Sequence, residues 1–353
     1  MALNGSTRAA AAAALFSLVG GTTNGVRPPT HGPVACPPAR SHDCRSDRGR
    51  SDAVALPPDS GGITAIQLPG SGEAVAVGAG AVWVTVIGHP TGVYRVEPAT
   101  NRIVATIPVD LPTGIAVGTD AVWVTDERHD QVLRIDPQTN RVVARVGVGS
   151  GPRRIVVGEG RIWVMNLLGH SISSIDPNSN RVVGEEIAVG RAHSLAVVGG
   201  ILWVGHGPPP GRVDMIDPRT GQSAGAPLEV DGTPVSIVGG GGSLWVADSY
   251  GEVYRFDSAT HQRVTRVSVD SVAFELAASR DAIWVAASNG VLGPRSVIRR
   301  LDIRTGQLAA DSVSPVRRMT FEGLNGMAVG EGALWVASKG ELTRFDLAAA
   351  PRR

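Results

Sequence analysis

Between residues 73 and 346 the chain repeats one pattern of apolar and polar positions seven times. Each unit opens on a short stretch such as Gly114-Ile-Ala-Val-Gly118, here called strand a. A tight turn follows, Thr119-Asp120 or Glu159-Gly160, of the kind that closes a two-residue hairpin. Strand b then carries a tryptophan with apolar neighbours on both sides of the pleat, as in Ala-Val-Trp123-Val-Thr. A strand apolar on both faces is one buried between two layers. Strand c alternates, as in Val132-Leu-Arg-Ile135, and stops at Asp136-Pro137-Gln-Thr-Asn140, where Asp and Pro favour a turn. Strand d resembles Arg141-Val-Val-Ala-Arg-Val146.

The tryptophans are Trp83, Trp123, Trp163, Trp203, Trp245, Trp284 and Trp335, with successive spacings of 40, 40, 40, 42, 39 and 51 residues. A period near 40 with four short strands per unit predicts an all-β fold, a seven-bladed β-propeller of four-stranded blades. A β-solenoid also stacks repeats, but its coils are usually shorter and seldom hold four hairpin-linked strands. Strands a, b and c recur seven times, whereas strand d follows its own strand c only six times. A surplus d-like strand, Ile63-Thr-Ala-Ile-Gln-Leu68, precedes the first unit. It is expected to complete the last blade and so remove the free edges of the ring.

The predicted domain is therefore 63–348, with a short tail at 349–353. Ahead of it, residues 1–21 hold Arg8 and a short apolar run, as in a secretory signal. Residues 22–62 are rich in Pro, Gly, Ser and Arg without periodicity, and read as a flexible linker. The expected location is secreted or extracytoplasmic. No segment is long and apolar enough to be an integral membrane span.

Composition narrows the function classes. Net charge is +1, and Lys339 is the sole lysine among 33 basic residues. No global field draws nucleic acid toward such a chain, so nucleic-acid partners are not expected. Cys36 and Cys44 both lie ahead of the repeats, so the domain has no thiolate nucleophile, cysteine metal cluster or disulfide. There is no Gly-x-Ser-x-Gly elbow, P-loop or His-Glu-x-x-His motif.

The Gly-Ile-Ala-Val-Gly and Val-Trp-Val-Thr segments resemble the YVTN/YncE-like and virginiamycin B lyase-like propeller superfamily over about residues 63–346. The resemblance implies blade type more than activity. In the lyases a histidine opens strand a in two successive blades, and the later blade adds two glutamates. The matching positions here are Glu73, Thr113, Arg153, His193, Val235, Phe274 and Asn325. Only His193 matches; Arg191 stands where the lyases carry a glutamate, and Glu127 falls in a blade that opens with Thr113. The lyase set is incomplete.

Propeller loops joining d to a and b to c share one face around the channel mouth. His89, His129, His170 and His206 fall in b–c loops, and His193 opens a strand a. The expected ligand-binding set is Asp126, Glu127, Arg153, Asn166, His193, His206 and Asp248, with His193 as the candidate catalytic residue. Imidazole, carboxylate and guanidinium together suit a small polar or anionic ligand. No cofactor is predicted, although imidazole and carboxylate are also able to take a divalent metal. Two longer loops, 289–296 and 312–323, are expected on the same face, the second carrying Arg317, Arg318, Phe321 and Glu322 as a partial lid.

The expected function is an exported, monomeric binding protein for a small polar molecule, a cell-wall component or a protein. The alternative is a lyase or lactone hydrolase with His193 as base or metal ligand, beside His206 and Asp126.

Overall fold

The computed structural model describes residues 62–269, 272–288, 296–309 and 324–347. The expected signal, linker and tail fall outside them, apart from Gly62 at the linker's end, and so do loop residues 289–295 and 312–323.

The described residues form an all-β propeller with one short helical turn, Glu127–His129. Its strands make six sheets, not the seven separate blades expected from the sequence. The cause is the opening strand, Ile63–Gly78, which runs unbroken through two partners. Residues 63–67 pair antiparallel with 341–345 of the final strand, Ala333–Asp346, while residues 70–78 pair with 81–88 of the first repeat. First and last repeats therefore share one six-stranded sheet. The surplus strand does pair where the deficit lay, Ile66 opposite Leu342. The sixth repeat shows three strands among the described residues, and the third splits its strand d into Arg181–Val182 and Ile187–Ala188.

Each tryptophan fills the wedge toward the following repeat, which is why the motif recurs. Trp83 packs with Val122, Val124 and Ile135, and Trp245 with Ile283, Val285 and Leu301. Trp335 of the last repeat packs with Val82, Val84 and Val96 of the first, so the apolar layer has no end. Trp83, Trp163, Trp203, Trp245 and Trp335 donate their indole N–H to a strand-a carbonyl of their own repeat, 3.0–3.2 Å away.

A second repeated device ties neighbours together at the c–d turns. Asp136 caps its turn by accepting from the Gln138 N–H at 2.8 Å and the Thr139 hydroxyl at 2.9 Å. Asn140 closes it in the left-handed region at φ +56°, which Asn tolerates. The guanidinium of Arg95 in the preceding repeat donates to Pro137 O (2.7 Å) and Asn140 Oδ1 (2.9 Å) of that turn while lying 5.2 Å over Trp83. Arg134 does the same with Pro177 and Asn180 over Trp123. Arg344 of the last repeat does so with Pro98 and Asn101 of the first, over Trp335. A cation over an indole contributes about 0.5–1 kcal/mol at such half-open sites.

Candidate functional site at the channel mouth

The loops share a face because they are hydrogen-bonded to each other. Glu127 N–H donates to Leu111 O at 3.0 Å, Leu167 N–H to Gly151 O at 2.8 Å and Ser249 N–H to Thr233 O at 2.9 Å, each joining a b–c loop to a d–a loop.

Three of the expected ligand-binding residues brace these loops. Asp248 is fully buried. Its carboxylate accepts from the N–H groups of Gly232 (2.7 Å), Tyr250 (2.9 Å) and Glu252 (3.0 Å) and from the Tyr254 hydroxyl (3.2 Å). Burial pushes its carboxyl up, against the pull of those bonds. Asp126, also buried, accepts from Leu111 N–H at 3.2 Å and Gln131 Nε2 at 2.9 Å and meets His129 Nδ1 at 2.7 Å. Burial alone would raise it, but the bonds from Gln131, His129 and Leu111 hold it below the usual carboxylate range. Asn166 donates from Nδ2 to Ser171 Oγ (3.1 Å) and Ser173 Oγ (2.8 Å), and both serines also meet Glu186.

Other charged groups sit on the first strands of the repeats. Arg153 and Arg154 lie on strand a of the third repeat, Pro152–Gly158. Arg153 pairs with Glu127 at 3.7 Å. It also faces Glu73, whose carboxyl is pushed up by burial against the pull of Ser71 and Arg153. Arg154 crosses the ring. Its Nη1 meets Glu275 Oε2 of the sixth repeat at 3.3 Å, and its Nη2 donates to Val235 O of the fifth at 3.3 Å. Ser236 Oγ steadies the other oxygen of Glu275 at 3.2 Å.

His193 lies between them on the fourth inner strand, Ala192–Val198. Burial first, then the guanidiniums of Arg191 and Arg154 and the imidazole of His206, push its pKa from 6.5 down to about 4. His206 turns toward strand c of its own repeat, with Nε2 2.6 Å from Asp214 Oδ2. The structure thus brings Glu127, Arg153 and Glu73 together, and His193 with Arg154, Arg191 and His206. Asp126 and Asp248 are taken up by their own loops. Arg154, Arg191, Glu73 and Glu275 were missed in the sequence. Glu73 was visible only as the first of the strand-a openings, and nothing local marks Glu275 as a partner 121 residues from Arg154. Among the described residues no group of three or more His, Asp or Glu side chains converges as a metal ion would need.

The depressed pKa of His193 has a stability consequence. Its neutral form is favoured in the folded chain, so its contribution is complete above pH 6.5 and is lost as pH falls from 6.5 toward about 4. His193→Asn is expected to flatten the fall in melting temperature across that window. Melting curves at pH 7 and pH 5 check this; parallel falls in both proteins would remove the assigned shift.

No protein-family model matches the chain, and no curated protein does either. Solved structures do. Hydrazine synthase of Kuenenia stuttgartiensis aligns with TM-score 0.64 and 15% identity over 81% of this chain and 98% of that one. A streptogramin B lyase structure aligns with TM-score 0.64 and 15% identity, again over 81% and 98%. The Cps50 (Swd1) β-propeller domain of Myceliophthora thermophila aligns with TM-score 0.66 and 12% identity over 80% and 99%. At such identities the likeness is one of fold, and the chain is a β-propeller.

Proposed function

We propose that this chain is an exported propeller of the YVTN/YncE-like and virginiamycin B lyase-like superfamily that binds a small polar ligand with an anionic group at its loop-bearing channel mouth. The observation that carries the reading is Arg154, which reaches from the third repeat to Glu275 and Val235 across the ring. With Arg191, Arg153 and a neutral His193 beside it, the mouth offers guanidinium donors and an uncharged imidazole on a rigid frame. An incoming anion would take the place of Glu275 on Arg154. Asp126, Asn166 and Asp248 support the reading indirectly, since they fix the loops that surround those donors.

A second reading keeps His193 as a general base in a lyase or lactone hydrolase. An imidazole neutral at physiological pH and shielded by burial supports it. One experiment separates the two. A panel of small carboxylates, phosphate esters and lactones is screened by thermal shift and for turnover. Binding predicts a hit that raises the melting temperature of the wild type, is weakened at least tenfold by Arg154→Ala, and leaves the compound unchanged. Conversion of a lactone or ester that disappears in His193→Asn would favour the enzyme. If Arg154→Ala responds to every hit as the wild type does, the mouth is not the site.

A further inference from the structure

On the face opposite the mouth, five repeats lay an arginine over their own tryptophan: Arg95, Arg134, Arg255, Arg300 and Arg344. In four of them a side chain of the same repeat occupies another edge of the guanidinium. Asp120 meets Arg134, Ser243 meets Arg255, Asp281 meets Arg300 and Asp346 meets Arg344. Arg95 is the exception. Its Nη1 serves Pro137 and Asn140, but its Nε is buried with no partner, and its Nη2 has none among the described residues. The sequence explains the difference. Asp120 and Asp281 each stand three residues before their tryptophan, and in the first repeat that position is Gly80.

Arg95 lines a groove of about 490 Å³ between the first and second repeats, bordered also by Ala79, Thr119, Asp120, Pro137 and Gln138. Two carboxylates adjoin it, and both are engaged elsewhere. Asp120 is paired with Arg134. Asp136, also in the lining, is held below the usual carboxylate range by its bonds from Gln138 N–H and the Thr139 hydroxyl. Beside Arg95 the lining holds Thr119 and Gln138, and the Nη2 of Arg95 is the donor there without a partner among the described residues.

We infer that this groove is a second binding site and takes a small carboxylate, which supplies to Arg95 what Asp120 and Asp281 supply to Arg134 and Arg300. A guanidinium set 5.2 Å over an indole, with its Nη2 lacking a partner among the described residues, suits one carboxylate oxygen there, as Asp120 and Asp281 meet the Nη2 of Arg134 and Arg300. A single pair at a half-open surface predicts weak binding, with a dissociation constant on the order of 0.1 M.

The test is an acetate titration of the full chain by NMR, with sodium chloride at matched ionic strength as the control. The backbone amides of Ala79, Thr119 and Gln138 are followed. Two variants are compared with the wild type. Ala79→Asp puts a carboxylate on the groove wall at φ +52°, where Asp is better tolerated than Ala. Arg95→Gln removes the guanidinium. The expected result is a saturable acetate shift in the wild type, absent with chloride and at least tenfold weaker in both variants. Arg154→Ala, on the other face, keeps it in full, so this site stands or falls apart from the channel mouth. If folded Ala79→Asp titrates like the wild type, or chloride gives the same shifts, the inference is overturned.

Discussion

Ile66→Pro is expected to lower the melting temperature by roughly 10 °C or more, corresponding to about 4 kcal/mol or more. Ile66 is buried against the last repeat and lies opposite Leu342 in the ladder that joins residues 63–67 to 341–345. Proline there takes the N–H out of the strand, fixes φ and removes the buried Ile side chain at once. The loss does not stay local. Once that ladder opens, the sheet shared by first and last repeats comes apart, and two strand edges meet solvent. Thermal unfolding and light scattering together check this, since exposed edges promote aggregation. Ile66→Val, which keeps the backbone donor, should cost only about 0.5–1.5 kcal/mol. A proline variant that melts with the wild type would mean that the ring does not depend on this seam.

Asp248→Ala is expected to destabilise the chain by about 3–5 kcal/mol, because it orphans buried donors one after another. The N–H groups of Gly232, Tyr250 and Glu252 and the Tyr254 hydroxyl all point at that carboxylate. Chemical denaturation gives the value. Affinity for any channel-mouth ligand should change far less than stability does, since Asp248 faces its own loop. Arg154→Ala should show the reverse split, large on binding and small on stability, its side chain being 38% exposed. A stable Asp248→Ala protein that had lost ligand binding would reverse this assignment of roles.

These contrasts show what the sequence made readable. The tryptophan period fixed the repeat and the propeller architecture, because every repeat must fill the same wedge. The seam between residues 63–67 and the final strand followed from counting strands. The number of sheets did not, because nothing in a local pattern tells whether Ile63–Gly78 stays one strand as it passes from one partner to the next. The Arg-over-Trp device had a signal that went unused: an arginine in strand c of one repeat and Asp-Pro-x-x-Asn in the following turn, as with Arg134 and Asp176–Asn180. Loop position singled out Glu127, Arg153 and His193. It placed Asp126 and Asp248 beside them because polarity in a loop looks the same whether a side chain is open or bonded to its own backbone. Burial separates the two, and burial depends on the tertiary path.

The seam also brings the two ends of the described ring together. Asp346 N–H donates to Gly62 O at 2.8 Å, so both ends of the ring leave from one spot on the side of the c–d turns. Whatever is fused before residue 62 or after residue 347, whether a tag, a surface anchor or a second module, attaches to the underside.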